Sequence, residues 1–132
     1  MAIQWGTTVR NAMLDQVETT VSTSAILKIR TGAQPADCAT ADSGTVLATL
    51  NLPSDWMAAA SAGSKAKSGT WSDTSADATG TIGHFRLYDS GGATCHMQGT
   101  AGVAGDLVTD ASTTTAGQTV TVNTFTLTAP GA

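Results

Sequence analysis

Charge is what this sequence has least of: only 12% of its 132 residues are Asp, Glu, Lys or Arg, about half the usual share. Six basic residues against ten acidic ones leave a net charge of −4, and Lys65, Lys67 and Arg86 are too few and too scattered for the basic footprint that nucleic acid needs. DNA and RNA are therefore not expected partners. No run of about 18 apolar residues occurs, which argues against a membrane-spanning helix. Met1–Trp5 lacks the basic start and apolar centre of a signal peptide, so the expectation is a soluble chain made inside a cell. Cysteine is scarce too. Cys38 and Cys95 show no C-x-x-C spacing for zinc or redox chemistry; two free thiols are the expected state, with Cys95 as a small buried hydrophobe, and a disulfide is the alternative.

What fills the space is Thr, Ala, Ser and Gly, a weakly hydrated coat suited to contact with other protein. The length is that of one domain, 1–132, divided into an N-terminal arm and helix (1–22) and a β portion (23–132). Residues 7–21 carry the one helical pattern. Val9, Met13, Val17 and Val21 recur at spacing four with Leu14 widening the stripe, Asn11, Asp15 and Glu18 lie opposite, and Thr7 or Thr8 is placed to cap the start. The apolar stripe is expected to dock, on the chain's own sheet or on a neighbouring subunit.

From Ser24 the period changes to two. Ser24–Arg30 and Thr45–Leu52 alternate as strands around an aperiodic loop, Thr31–Gly44. Ser64–Ser72 follows as a strand with Trp71 near its end, and Asp73–Gly80 as a polar turn. Ile82–Gly99 reads as a β-hairpin around Ser90-Gly91-Gly92, with Phe85 and Leu87 on the core face and Ile82, His84, Arg86 and Tyr88 on the other. Leu107–Thr109 and Gln118–Thr128 complete the set; in the latter the apolar face switches near Asn123, which predicts a bulge or a strand shared between sheets. The predicted fold class is mainly β: a β-sandwich or jelly roll of about seven to eight antiparallel strands with one N-terminal amphipathic helix.

Reactive groups are sparse. His84 and His96 can meet across the hairpin, but a third metal ligand is missing and Arg86 shares the face, so they are read as solvated or interface histidines. Asp73 and Asp77 sit among hydroxyls without the spacing of an EF-hand, and read as a turn whose carboxylates fold onto nearby amides. A nucleophile elbow is absent, and Ser64 has no local partner. Enzymatic activity is not expected, and no catalytic, metal or cofactor residue is assigned. Trp71 on a strand is the core tryptophan, whereas Trp5 and Trp56 fall in segments without strand pattern. Trp5, Val9, Met13, Trp56 and Met57 are the expected interface residues.

Four stretches carry a likeness. Thr-Ser-Ala-Asp-Ala-Thr-Gly-Thr at 74–81, Phe-Arg-Leu-Tyr-Asp-Ser-Gly-Gly at 85–92, Gln-Gly-Thr-Ala-Gly at 98–102 and Thr-Val-Thr-Val-Asn-Thr-Phe-Thr-Leu-Thr at 119–128 resemble small virion proteins of tailed bacteriophages. The likeness covers the C-terminal half and, more loosely, the helix and Ile29–Gly32. Within that group the chain is most similar to capsid cement, or decoration, proteins. The resemblance implies a jelly roll that binds the major capsid protein on the outer capsid surface, associates with itself with a dimer favoured, and reaches the virion after synthesis in the host cytoplasm. A tail, baseplate or fibre component is the alternative. A carbohydrate-binding module, with Trp71 and Tyr88 as its aromatics, is a distant third.

Overall fold

The computed structural model describes residues 3–132; Met1 and Ala2 of the N-terminal arm lie outside the described residues. Helix α1 spans Thr7–Val21, as the four-residue spacing predicts. Its start differs: Gly6 occupies the N-cap and neither Thr7 nor Thr8 caps the helix through its side chain. Strands β1 (Ile26–Arg30) and β2 (Val46–Asn51) form an antiparallel pair across the 31–44 loop. The predicted 64–72 strand is divided into β3 (Ser64–Ala66) and β4 (Ser72–Asp73), because Gly69 turns the chain at φ +71°. Then come β5 (Gly80–Thr81), β6 (His84–Tyr88), β7 (Cys95–Gly102), β8 (Leu107–Thr109), β9 (Thr113–Thr114) and β10 (Val120–Thr128). Among the described residues no helix is long and apolar enough to cross a membrane.

These strands make a curled, mixed sheet in the order β2-β1-β6-β7-β8-β10-β3, with β4 also on β10, while β5 and β9 pair apart from it. An all-antiparallel arrangement is thereby corrected, since β7 and β8 run parallel. That pairing needs two reversals within residues 103–106. They are made by Gly102 at φ +142°, by Gly105 lying against the Ala101 backbone, and by the Asp106 carboxylate, which accepts from the Thr100 amide at 3.2 Å and hydroxyl at 3.0 Å. The face switch near Asn123 is present as a register shift between Val122 and Thr124, and β10 passes from β4 at its start to β3 at its end.

The curl brings the outer edge of β2 round to the end of β4 and the segment that follows it. There the Thr49 amide donates to Asp73 at 2.9 Å, the Thr49 hydroxyl to Asp77 at 2.8 Å, and the Asp77 amide to the Leu47 carbonyl at 2.8 Å. Asp73 also accepts from the Ser75 amide, as the turn composition predicts, whereas the Asp77 carboxylate takes the distant Thr49 hydroxyl. This seam covers an edge that would otherwise offer unpaired groups to another chain.

An aromatic line crosses the interior. Trp56 lies 6.1 Å from Trp71, Trp71 lies 5.6 Å from Phe125, and Phe125 meets Phe85 edge-on at 5.5 Å. Phe85, Leu87 and Trp71 are buried, as the alternation predicts. Two expectations fail here. Trp56 and Met57, read as interface residues, are 0% and 1% exposed. Trp56 donates from its indole to the Ser22 carbonyl at 2.8 Å, and Met57 bridges to Lys67, so this aperiodic segment folds inward with its backbone satisfied. The second failure is β6, buried on both faces because the 31–44 loop covers His84, Arg86 and Tyr88.

Truncating Phe85 removes a ring packed on both sides by aromatic and aliphatic neighbours. Phe85→Ala is expected to cost about 3–5 kcal/mol, read as a lower urea midpoint at unchanged slope. A midpoint within experimental error of the parent would place the core elsewhere.

Candidate functional site

Helix α1 docks through a mixed face, on which Asn11, Asp15 and Glu18 join Leu14 and Val21 of the predicted apolar stripe. The Lys65 side chain, 1% exposed, reaches from β3 to Asp15 at 2.7 Å and Glu18 at 3.0 Å. Burial pulls the Lys65 ammonium toward its neutral form, but the hydrogen bonds it donates to Asp15 and Glu18 outweigh this and raise its pKa above the ordinary lysine value. The same face meets backbone amides of the adjoining loop: Asp15 accepts from Ala60 at 3.0 Å, through the oxygen that also takes Lys65, Asn11 from Gly63 at 2.9 Å, and Glu18 from Met57 at 3.4 Å. Arg10 donates to the Ala129 carbonyl at 2.9 Å, and its guanidinium occupies the space a side chain at position 63 would fill. Gly63, at φ +75°, is required there on both counts.

Of the apolar stripe, Leu14 and Val21 are buried and Val17 packs against the core. Val9 and Met13 turn outward, 44% and 39% exposed. Trp5 is 43% exposed, and Ile3 on the arm is exposed too. The arm is tied down at the other terminus: the Trp5 amide donates to the Gly131 carbonyl at 2.7 Å and the Gln4 side chain to the Ala132 carbonyl at 3.3 Å. Gly131 lies under the indole at φ +77°, a place no L side chain fits. Beside Met13, a shallow cleft of about 270 Å³ runs along Gln16, Val17 and Thr20 to His96 of β7. Three of the five expected interface residues, Trp5, Val9 and Met13, are thus exposed, and two are core.

The opposite pole holds a second buried cation. All five N–H groups of Arg86 are used: Nε donates to Gln98 at 3.1 Å, Nη1 to the Thr40 carbonyl at 3.0 Å and Asp42 at 2.6 Å, and Nη2 to the carbonyls of Asp37 and Cys38, each at 3.1 Å. Asp42 also accepts from Tyr88 at 2.6 Å and Arg30 at 3.1 Å. A loop without periodicity is thereby ordered by side-chain donors that pair with its carbonyls. The register opposes His84 to Thr100 rather than His96, and His84 is fully buried, its Nδ1 donating to the Gly32 carbonyl at 2.9 Å. The solvated-histidine reading fails for His84 because Gly32 and the loop close over it. The chain matches no family model, no curated protein and no solved structure.

These pairs set a pH profile. Asp15 is held below the usual carboxylate range by Lys65, and Asp37 by hydrogen bonds from Thr40. For Asp42, burial pushes upward, but Tyr88, Arg86 and Arg30 together bring it below the ordinary value. A depressed carboxylate adds stability that is full above its ordinary pKa of about 4 and is lost as pH falls through the folded value. Lys65 is raised by its carboxylates, and Tyr88 by burial and its bond to Asp42, so their contributions are full below about pH 10 and vanish at higher pH. Urea midpoints measured across pH should form a plateau from roughly pH 5 to 9.5 and fall on both sides. A midpoint that holds level down to about pH 2 would contradict the pairing.

Arg86→Lys should destabilise the chain by about 3 kcal/mol, since an ammonium cannot satisfy five acceptors at once. Proteolysis within 31–44 should accelerate in this variant; an unaltered cleavage rate would show that the guanidinium does not hold the loop.

Proposed function

We propose that this chain is a bacteriophage virion structural protein of the cement, or decoration, kind, binding the outside of a capsid and stabilising contacts between major capsid protein subunits. One observation carries the reading: α1 is already docked, by Leu14 and Val21 together with Asp15 and Glu18, yet Trp5, Val9 and Met13 remain exposed beside a doubly tethered arm. An exposed apolar patch on an otherwise folded chain marks a contact surface, and aromatic anchors concentrate interface energy. The resemblance of residues 74–81, 85–92, 98–102 and 119–128 to phage virion proteins supplies the kind of partner. The curled sheet is accordingly read as a jelly-roll variant, and self-association, as a dimer, as part of the same lattice.

The role is binding rather than catalysis. In support, the buried charged side chains Arg30, Lys65 and Arg86 are each committed to internal carboxylates. Stabilisation follows from mass action: a protein that binds only the assembled shell contributes about 2.7 kcal/mol per site at a hundred-fold excess over Kd. Repeated over a lattice, modest affinity suffices. The protein is then made in the host cytoplasm and resides on the virion surface.

Trp5→Ala and Met13→Glu, added to particles lacking the protein, should each weaken binding by at least about tenfold, while the free variant melts near the parent temperature. Particle heat resistance should fall with occupancy. Full occupancy with both variants would place the attachment surface elsewhere, and a copy number of about a dozen or fewer per particle would favour a tail or baseplate post.

A further inference from the structure

The cavity beneath the 31–44 loop holds a pair of nucleophilic groups that none of the contacts above employs. Cys38 and Cys95, both free thiols, line the same space of about 230 Å³, together with Asp42, Arg86, Tyr88 and Ala93. They come from chain segments far apart in sequence, and each is anchored independently. Cys38 is held by its own carbonyl, which accepts from Arg86 Nη2 at 3.1 Å. Cys95 opens β7 opposite Tyr88, and its thiol donates to the Met97 carbonyl at 3.4 Å. The two cysteines thus face one another across a single small cavity.

We propose that Cys38 and Cys95 form an intramolecular disulfide by exchange with a small-molecule disulfide, fastening the 31–44 loop to β7. In the first step the Cys38 thiolate attacks one sulfur of the small disulfide and expels a thiolate, leaving a mixed disulfide on the loop. In the second, Cys95 gives its proton to water and attacks the Cys38 sulfur, expelling the other half as thiolate. Two protein S–H bonds and one small-molecule S–S bond are lost; one protein S–S bond and two small thiols are gained. The protein is oxidised by two electrons and the small disulfide is reduced by two. Cys38 goes first because the Cys95 thiol is already engaged with the Met97 carbonyl. Burial, with the Cys38 thiol beside it, pushes the Cys95 thiol up to about 11, so the second step is the slow one. The dithiol thus persists where thiols are kept reduced, and the bond closes after transfer to an oxidising medium. This device is independent of what the outer face of α1 binds.

The test treats the reduced full-length protein with excess oxidised glutathione at about pH 8, then quenches, alkylates and weighs it. Both thiols should disappear together, the mass should fall by two hydrogen atoms, and one crosslinked Cys38–Cys95 peptide should be recovered from a protein that stays uncrosslinked between chains. Closing a loop of roughly 60 residues should raise the melting temperature by on the order of 10 °C, reversibly with dithiothreitol. Cys38→Ser and Cys95→Ser, treated alike, should show no rise; the wild-type mass and peptide stand without them if either fails to fold. A stable glutathione adduct on the wild type, a disulfide-linked dimer, or two thiols still open to alkylation would each overturn the proposal. So would the bond forming with an unchanged or lower melting temperature.

Discussion

A single buried ammonium determines how the helix sits. Lys65 projects from β3 into a space closed to water, and an unpaired charge there would cost several kcal/mol. Asp15 and Glu18 are four and seven residues on from Asn11, so one helix face delivers all three polar groups to the β3 end of the sheet. Satisfying Lys65 and the amides of Met57, Ala60 and Gly63 turns that face inward. The rotation that achieves this carries Val9 and Met13 to the outside. The orientation of the patch on which the proposed function rests is thus a consequence of charge pairing.

Arg86 plays the corresponding part at the other pole. Its guanidinium presents five donors in a rigid plane, and the 31–44 loop wraps to meet them with three carbonyls and a carboxylate. The loop covers β6, so that strand acquires a second buried face without a second sheet. It also carries Cys38 to Cys95, which makes the redox chemistry proposed for that pair a by-product of how Arg86 is satisfied. Both cations have their desolvation offset by hydrogen bonds from several directions, the condition under which a buried charge is tolerated.

Between the poles the core is conventional in chemistry, an aromatic line from Trp56 to Phe85 surrounded by Leu, Ile and Val. Its sheet is less so. A parallel pair made across four residues and an edge stitched to β4 by Asp73 and Asp77 let one sheet curl far enough to enclose a core by itself. The exposed edges that invite unspecific pairing are reduced, which suits a protein read as binding a partner through a defined patch.

Local periodicity was enough to place α1, β1, β2, the β6–β7 hairpin and β10, to put Phe85, Leu87 and Trp71 in the core, and to locate the irregularity at Asn123. Those features depend on neighbours a few residues apart, and the pattern of apolar side chains reports them directly. The same pattern misjudged Trp56 and Met57, because an aperiodic segment gives no sign of whether its backbone will find partners inside the fold. It also gave only the apolar half of the helix's docking face, Leu14, Val17 and Val21, and misjudged the outer side of β6. A lone Lys65 or Arg86 reads as a solvated residue until the carboxylates that meet it, 50 and 44 positions away, are brought up by the tertiary fold. Which groups stay dry is decided by long-range electrostatic pairing, and hydrophobic spacing carries no record of it.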